Sequence, residues 1–111
     1  MPLHIKHVPF TQIVWHDLPQ VESLGASGRA WSQTVQAGDV RIRLVIFSSE
    51  YDADHWCSKG HVVFVLEGEL TTILKDGRRF LTKQGESFCV GDDDGQHQVN
   101  SSNGAKLLIV D

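Results

Sequence analysis

The stretch Asp54-His55-Trp56-Cys57-Ser58-Lys59-Gly60-His61-Val62-Val63-Phe64-Val65-Leu66-Glu67-Gly68 sets two histidines and a cysteine just ahead of an apolar run and closes on a glycine. Imidazole and thiol are common transition-metal ligands, so this is where chemistry is expected. If residues 54–57 are extended, His55 and Cys57 project from one face and Trp56 from the other. Gly60 permits a turn or bulge, so His61 can swing toward the same pocket as a third donor. A fourth must come from further along. His97 follows the turn-rich Gly91-Asp92-Asp93-Asp94-Gly95, where another strand should begin.

The spacing His-x-Cys-x3-His-x6-Gly, formed by His55, Cys57, His61 and Gly68, resembles the first cupin motif, His-x-His-x3-4-Glu-x6-Gly. Cys57 stands where that motif has its second histidine, and His61 where it has glutamate. Gly85 and His97, with Asn100 after them, loosely match the second cupin motif; Gly91 and Asp93 replace its proline and glycine, and His97 falls one residue late. More closely, Asp54-His55-Trp56-Cys57 is similar to the signature of small stand-alone cupins called DHCW-motif cupin fold proteins. The resemblance runs from about Gly28 onward. It implies an all-β, single-domain cupin jelly-roll barrel (a double-stranded β-helix) with its ligand cavity inside the barrel. Residues 1–28 would form an N-terminal strand and loop region and residues 29–111 the barrel.

The rest of the chain reads consistently with an all-β fold. Short apolar or alternating runs separated by glycine and polar turns predict strands near Thr11–Trp15, Ala30–Gln36, Val40–Ser48, Asp54–Cys57, His61–Glu67, Leu70–Lys75, Arg79–Thr82, Glu86–Val90, His97–Asn100 and Lys106–Val110. Asp76-Gly77 predicts a type I′ hairpin, and Gly60, Gly68, Gly85 and Gly91 predict other reversals. Helix is confined to one turn from Pro19 to Leu24, stopped by Gly25.

At 111 residues the chain makes one domain, and 41% hydrophobic content suffices for a core without disulfide staples. A net charge of -4, with Arg78-Arg79 the only adjacent basic pair, leaves no footprint for a nucleic-acid backbone. No apolar run reaches membrane-spanning length and no secretory leader pattern is visible, so a cytoplasmic protein is expected, with Cys57 and Cys89 reduced. Val62, Phe64 and Leu66 face one way and Val63 and Val65 the other. Both faces of that strand are apolar, so one can line the cavity while the other meets a partner sheet or a second subunit, and a homodimer is expected.

His55, Cys57, His61 and His97 are therefore the metal ligand candidates. The ion would be a divalent transition metal, with zinc favoured by the thiolate and iron, nickel or copper also suited to imidazole. The alternative is a barrel that keeps these side chains only as packed polar groups. Tyr51 and Asp54 are candidates for proton donor and general base, or for a turn cap and a carboxylate that orients a ligand histidine. Arg41 and Arg43 share a strand face. Pointing inward they suit a substrate carboxylate or phosphate; pointing outward they form a solvated face, the commoner place for arginine. Trp56 reads as core, Trp15 and Trp31 as core or interface, and Asp92-Asp93-Asp94-Gly95 as a solvated turn, since it lacks the spacing of a calcium loop. Two functions follow: a small metal-dependent cupin, enzymatic in one form, that acts on a polar small molecule in its cavity, or a non-catalytic binding or redox-sensing module with a structural metal.

Overall fold

A computed structural model describes residues 5–111 as an almost entirely antiparallel β-structure. Its strands are β1 (Val21–Leu24), β2 (Arg29–Ala37), β3 (Val40–Phe47), β4 (Tyr51–Asp52), β5 (His61–Leu74), β6 (Arg79–Lys83), β7 (Ser87–Val90), β8 (His97–Ser101) and β9 (Ala105–Val110). The order β1-β2-β3-β9-β5-β8-β4 runs through one curled sheet, with β6 and β7 also paired to β5. This is a jelly roll.

The fourteen-residue strand β5 serves both halves of the curl. Its first half pairs with β9 and β7, and its second half with β8 and β6. The change of partners needs a bend, supplied by a register shift between Val65 and Glu67 and by Gly68 at φ +76°. A Cβ at Gly68 would run into the Gly104 carbonyl, so only glycine lets the two backbones meet there. Gly68 was expected to end a strand; instead it bends one strand without breaking it.

Alternation along the strands builds the core. Val45 and Phe47 of β3, Val63 and Val65 of β5, Leu70, and Leu107 and Ile109 of β9 are all buried, as even spacing on a pleated sheet requires. Residues between them, such as Val62 and Phe64, are exposed on the outer face.

Other sequence-based expectations fail as well. Thr11–Trp15 is not a strand: the segment pairs with no strand among the described residues, Trp15–Asp17 forms a short 3-10 turn, and Gln33 Nε2 ties it down by donating to the Trp15 and Leu18 carbonyls at 2.6 and 2.9 Å. The turn expected at Pro19–Leu24 is instead strand β1, because pairing with β2 satisfies more backbone groups than a lone helical turn could. Residues 54–57 bend away from the sheet, and only Cys57 bridges to a neighbour, His97.

The Asp76-Gly77 hairpin forms, but its loop spans Lys75–Arg78 and only Gly77 takes a positive φ, so it is not a type I′ turn. Trp56 is also not core: it is 37% exposed and carries the Lys75 ammonium 4.3 Å above its ring.

Candidate metal centre

Cys57, His61 and His97 converge from three elements, with one ligand atom of each within 4.8 Å of the others. Their positions follow from backbone pairing. Cys57 and His97 sit directly opposite and exchange both hydrogen bonds, Cys57 N–H to the His97 carbonyl at 2.8 Å and His97 N–H to the Cys57 carbonyl at 3.0 Å. His61 opens β5, where inward positions alternate with Val63 and Val65. The acidic turn fastens the connecting loop: Gly60 N–H donates to the Asp92 carboxylate at 2.7 Å, and Asp93 N–H to the Ser58 carbonyl at 2.9 Å. That turn is thus a clamp on the segment carrying Cys57 and His61, beyond the solvated role expected of it.

The two imidazoles meet Nε2 to Nε2 at 2.8 Å. His97 Nδ1 lies 3.2 Å from the Gly95 carbonyl, which places its proton on Nδ1 and its lone pair on Nε2. His61 Nδ1 is buried without a hydrogen bond among the described residues, and the Asp111 carboxylate Oδ2 lies 3.6 Å away. A carboxylate on that side favours an N–H there and again leaves the lone pair on Nε2. Burial, then the neighbouring His97, lowers the His61 pKa and keeps the ring neutral near pH 7. Two lone pairs at 2.8 Å repel unless a cation or proton lies between them. With a thiol alongside, the donor set fits a divalent ion: a tetrahedral site with bonds of about 2.0–2.3 Å sets its ligand atoms about 3.4 Å apart, between the 2.8 Å of the two imidazoles and the 4.8 Å within which all three donors lie.

His55 stands apart from this cluster. Its side chain is 69% exposed, and its Nδ1 lies 2.7 Å from the Asp54 carboxylate. The bend at residues 54–55 carries it to the cavity mouth, away from the face it would share with Cys57 in an extended strand. Asp54 is thereby paired to His55 and is itself exposed.

Arg41 and Arg43 point into the barrel, and the reason is a residue that sequence reading missed. Asp111 follows β9, its side chain has no exposed surface, and it accepts from Arg41 Nε at 2.8 Å, Arg41 Nη2 at 2.9 Å and Arg43 Nη2 at 3.2 Å. Hydrogen bonds from Arg41 hold its pKa down to about 2. Arg41 and Asp111 also exchange backbone bonds at 2.7 and 2.9 Å, and Val62 pairs with Val110, so Arg41, Asp111 and His61 lie in one row across the sheet. The signal was the even spacing Leu107, Ile109, Asp111 on an inward face. It could be read only once β9 was known to lie between β3 and β5.

Behind the cluster lies a cavity of about 310 Å³. Tyr51 lines it, stacked on Phe47 with ring centroids 4.1 Å apart, and burial raises its pKa, so the phenol stays protonated. Among the described residues its hydroxyl has no hydrogen-bond partner. Cys57 and Cys89 are both free thiols.

The sequence matches no protein-family model and no curated protein. The fold does match solved structures. An RmlC-like cupin from Shewanella frigidimarina superposes with a TM-score of 0.72 over 94% of this chain and 91% of its own, at 16% identity. Ectoine synthase from P. lautus gives 0.74 over 91% and 76%, at 10% identity. Fe(II)-HppE with the alternative substrate (S)-1-HPP gives 0.74 over 92% of this chain and 60% of its own, at 16% identity. The chain has the cupin fold.

Proposed function

We propose that the protein is a small metal-binding cupin of the DHCW type, in which Cys57, His61 and His97 hold a divalent transition metal beside a cavity for a small molecule. The observation that carries this reading is the 2.8 Å approach of two imidazole Nε2 atoms whose other nitrogens face the Gly95 carbonyl and the Asp111 carboxylate. Histidines that bind metals are commonly oriented in this way from their far nitrogen. Zinc is proposed first because of the thiolate, and iron(II) second.

Three protein donors leave a position open in a tetrahedral site, for water, for a ligand or for His55 swinging in from the mouth. When bound, the ion supplies Lewis-acid polarisation of a ligand oxygen. The chain's own groups bind and orient that ligand: Arg41 and Arg43 present cations, and the protonated Tyr51 hydroxyl can donate a hydrogen bond. Among the described residues no helix is long and apolar enough to cross a membrane. A cytoplasmic setting, where the thiols stay reduced, belongs to this reading. So does a homodimer through the outer face bearing Val62 and Phe64, 51% and 40% exposed.

Elemental analysis of protein purified without a histidine tag or chelator tests the proposal. Near-stoichiometric metal in the wild type, lost in His61→Ala and Cys57→Ser, is expected. No metal after reconstitution with zinc or iron(II) overturns it.

A further inference from the structure

The inward residues of β3, taken in order, are Arg41, Arg43, Val45 and Phe47. Charge therefore occupies one end of the strand and hydrocarbon the other. The neighbouring strands repeat the gradient. On β9 and just beyond it, Asp111 gives way to Ile109 and Leu107; on β5, His61 gives way to Val63 and Val65, all in matched register. Leu70, Phe88 and Val99 continue the apolar end of the cavity.

The charged end is not balanced. Arg41, Arg43 and Lys59 line it against one side-chain carboxylate among the described residues, that of Asp111. Asp111 takes three N–H bonds from the two guanidinium groups, while Arg43 Nε is buried with no acceptor among the described residues. Both arginine side chains keep exposed surface, 33% for Arg41 and 25% for Arg43, so they are not sealed by that pairing. A guanidinium pair that is short of acceptors, at the polar end of an otherwise apolar cavity, matches a planar anion.

We infer that the cavity takes a small amphipathic carboxylate, its head against Arg43, Arg41 and Lys59 and its aliphatic or aromatic body among Val45, Phe47, Leu70 and Val99. This rests on the reading of the cavity as a ligand site and names the ligand's class. Size limits the choice: at roughly 30 Å³ for each water-sized group, the cavity holds about ten non-hydrogen atoms. An acid with six to nine carbons fits, and a nucleotide or an oligosaccharide does not. Acetate would satisfy the head alone and a neutral amide the body alone.

The test is calorimetric titration of the protein, loaded with zinc and separately stripped of metal, with 3-phenylpropionate, 3-phenylpropanamide and acetate. Metal content is measured on each sample. At least tenfold tighter binding of 3-phenylpropionate than of either comparison compound is expected. That preference over the amide should fall severalfold in Arg43→Gln and, at the exposed position, in Lys59→Gln, with the affinity for the amide unchanged. Equal binding of acid and amide, or no saturable binding of the acid in either form, overturns the inference. The metal proposal fails separately: zinc retained without acid preference leaves it standing, whereas acid preference in a protein that never takes up metal removes it and keeps the carboxylate site.

Discussion

His61 and His97 face each other Nε2 to Nε2 at 2.8 Å, one from the start of β5 and the other from the start of β8. The rings are nearly perpendicular, at 86°. Removing either one should abolish tight metal binding, because Cys57 and a single imidazole make an incomplete set. His97→Ala and His61→Ala are expected to lose metal on dialysis against buffer, whereas His55→Ala keeps near-stoichiometric metal with a weaker affinity. Metal-to-protein ratios after dialysis decide this; equal loss in all three variants would place His55 among the essential ligands.

Asp111 should make the protein's stability depend on acid. Its folded pKa of about 2 lies below the ordinary carboxylate value, so the stabilisation it supplies is complete above about pH 5 and is lost progressively as pH falls through 4 toward 2. A tenfold change in proton affinity corresponds to about 1.4 kcal/mol, and because the paired arginines keep exposed surface that screens the interaction, the contribution is on the order of 1–2 kcal/mol at neutral pH. Urea denaturation of metal-free wild type and Asp111→Asn at pH 7 and pH 3 measures it. The gap between the two proteins should be largest at pH 7; a gap independent of pH would mean that packing, not charge, accounts for it.

Gly68 is the hinge of the longest strand. Gly68→Ala puts a side chain at φ +76° and against the Gly104 carbonyl, and a cost of roughly 1–3 kcal/mol is expected. Gly77→Ala gives a control, since its added Cβ would meet nothing within 4 Å and only the φ of +96° is strained. Thermal melting of both should show the larger drop for Gly68→Ala.

The proposed homodimer is tested on the outer face. Phe64→Asp, or Val62→Asp on the same face, should shift the protein from dimer to monomer in sedimentation velocity while leaving the metal site occupied. A wild type that is monomeric at high concentration would remove the dimer from this reading.

The apolar alternation and the glycines were legible in the sequence, and so were seven of the nine strands in substance, because a period of two and a turn residue act within a few positions of each other. The failures came where a segment's fate depends on a distant partner. Val21–Leu24 became a strand because β2 offered it an edge, whereas Thr11–Trp15 runs into a 3-10 turn held by the Gln33 side chain. The same holds at the site. Cys57, His61 and His97 were candidates on residue type and spacing, yet His55, nearest to Cys57 in the chain, is the donor that lies outside the cluster.

Arg41 and Arg43 show the division most plainly. Their spacing determined that they share a face, since alternate side chains on a strand must. Which face could not be read, because one step of register exchanges inside for outside. Only the pairing of β9 between β3 and β5 brought Asp111 to Arg41, and a buried carboxylate at that point draws both guanidinium groups inward. The sequence by itself determined the strand pattern and the chemical types available to the barrel; the tertiary structure decided which of them meet, because donors 36 residues apart, as His61 and His97 are, come into contact only through strand pairing.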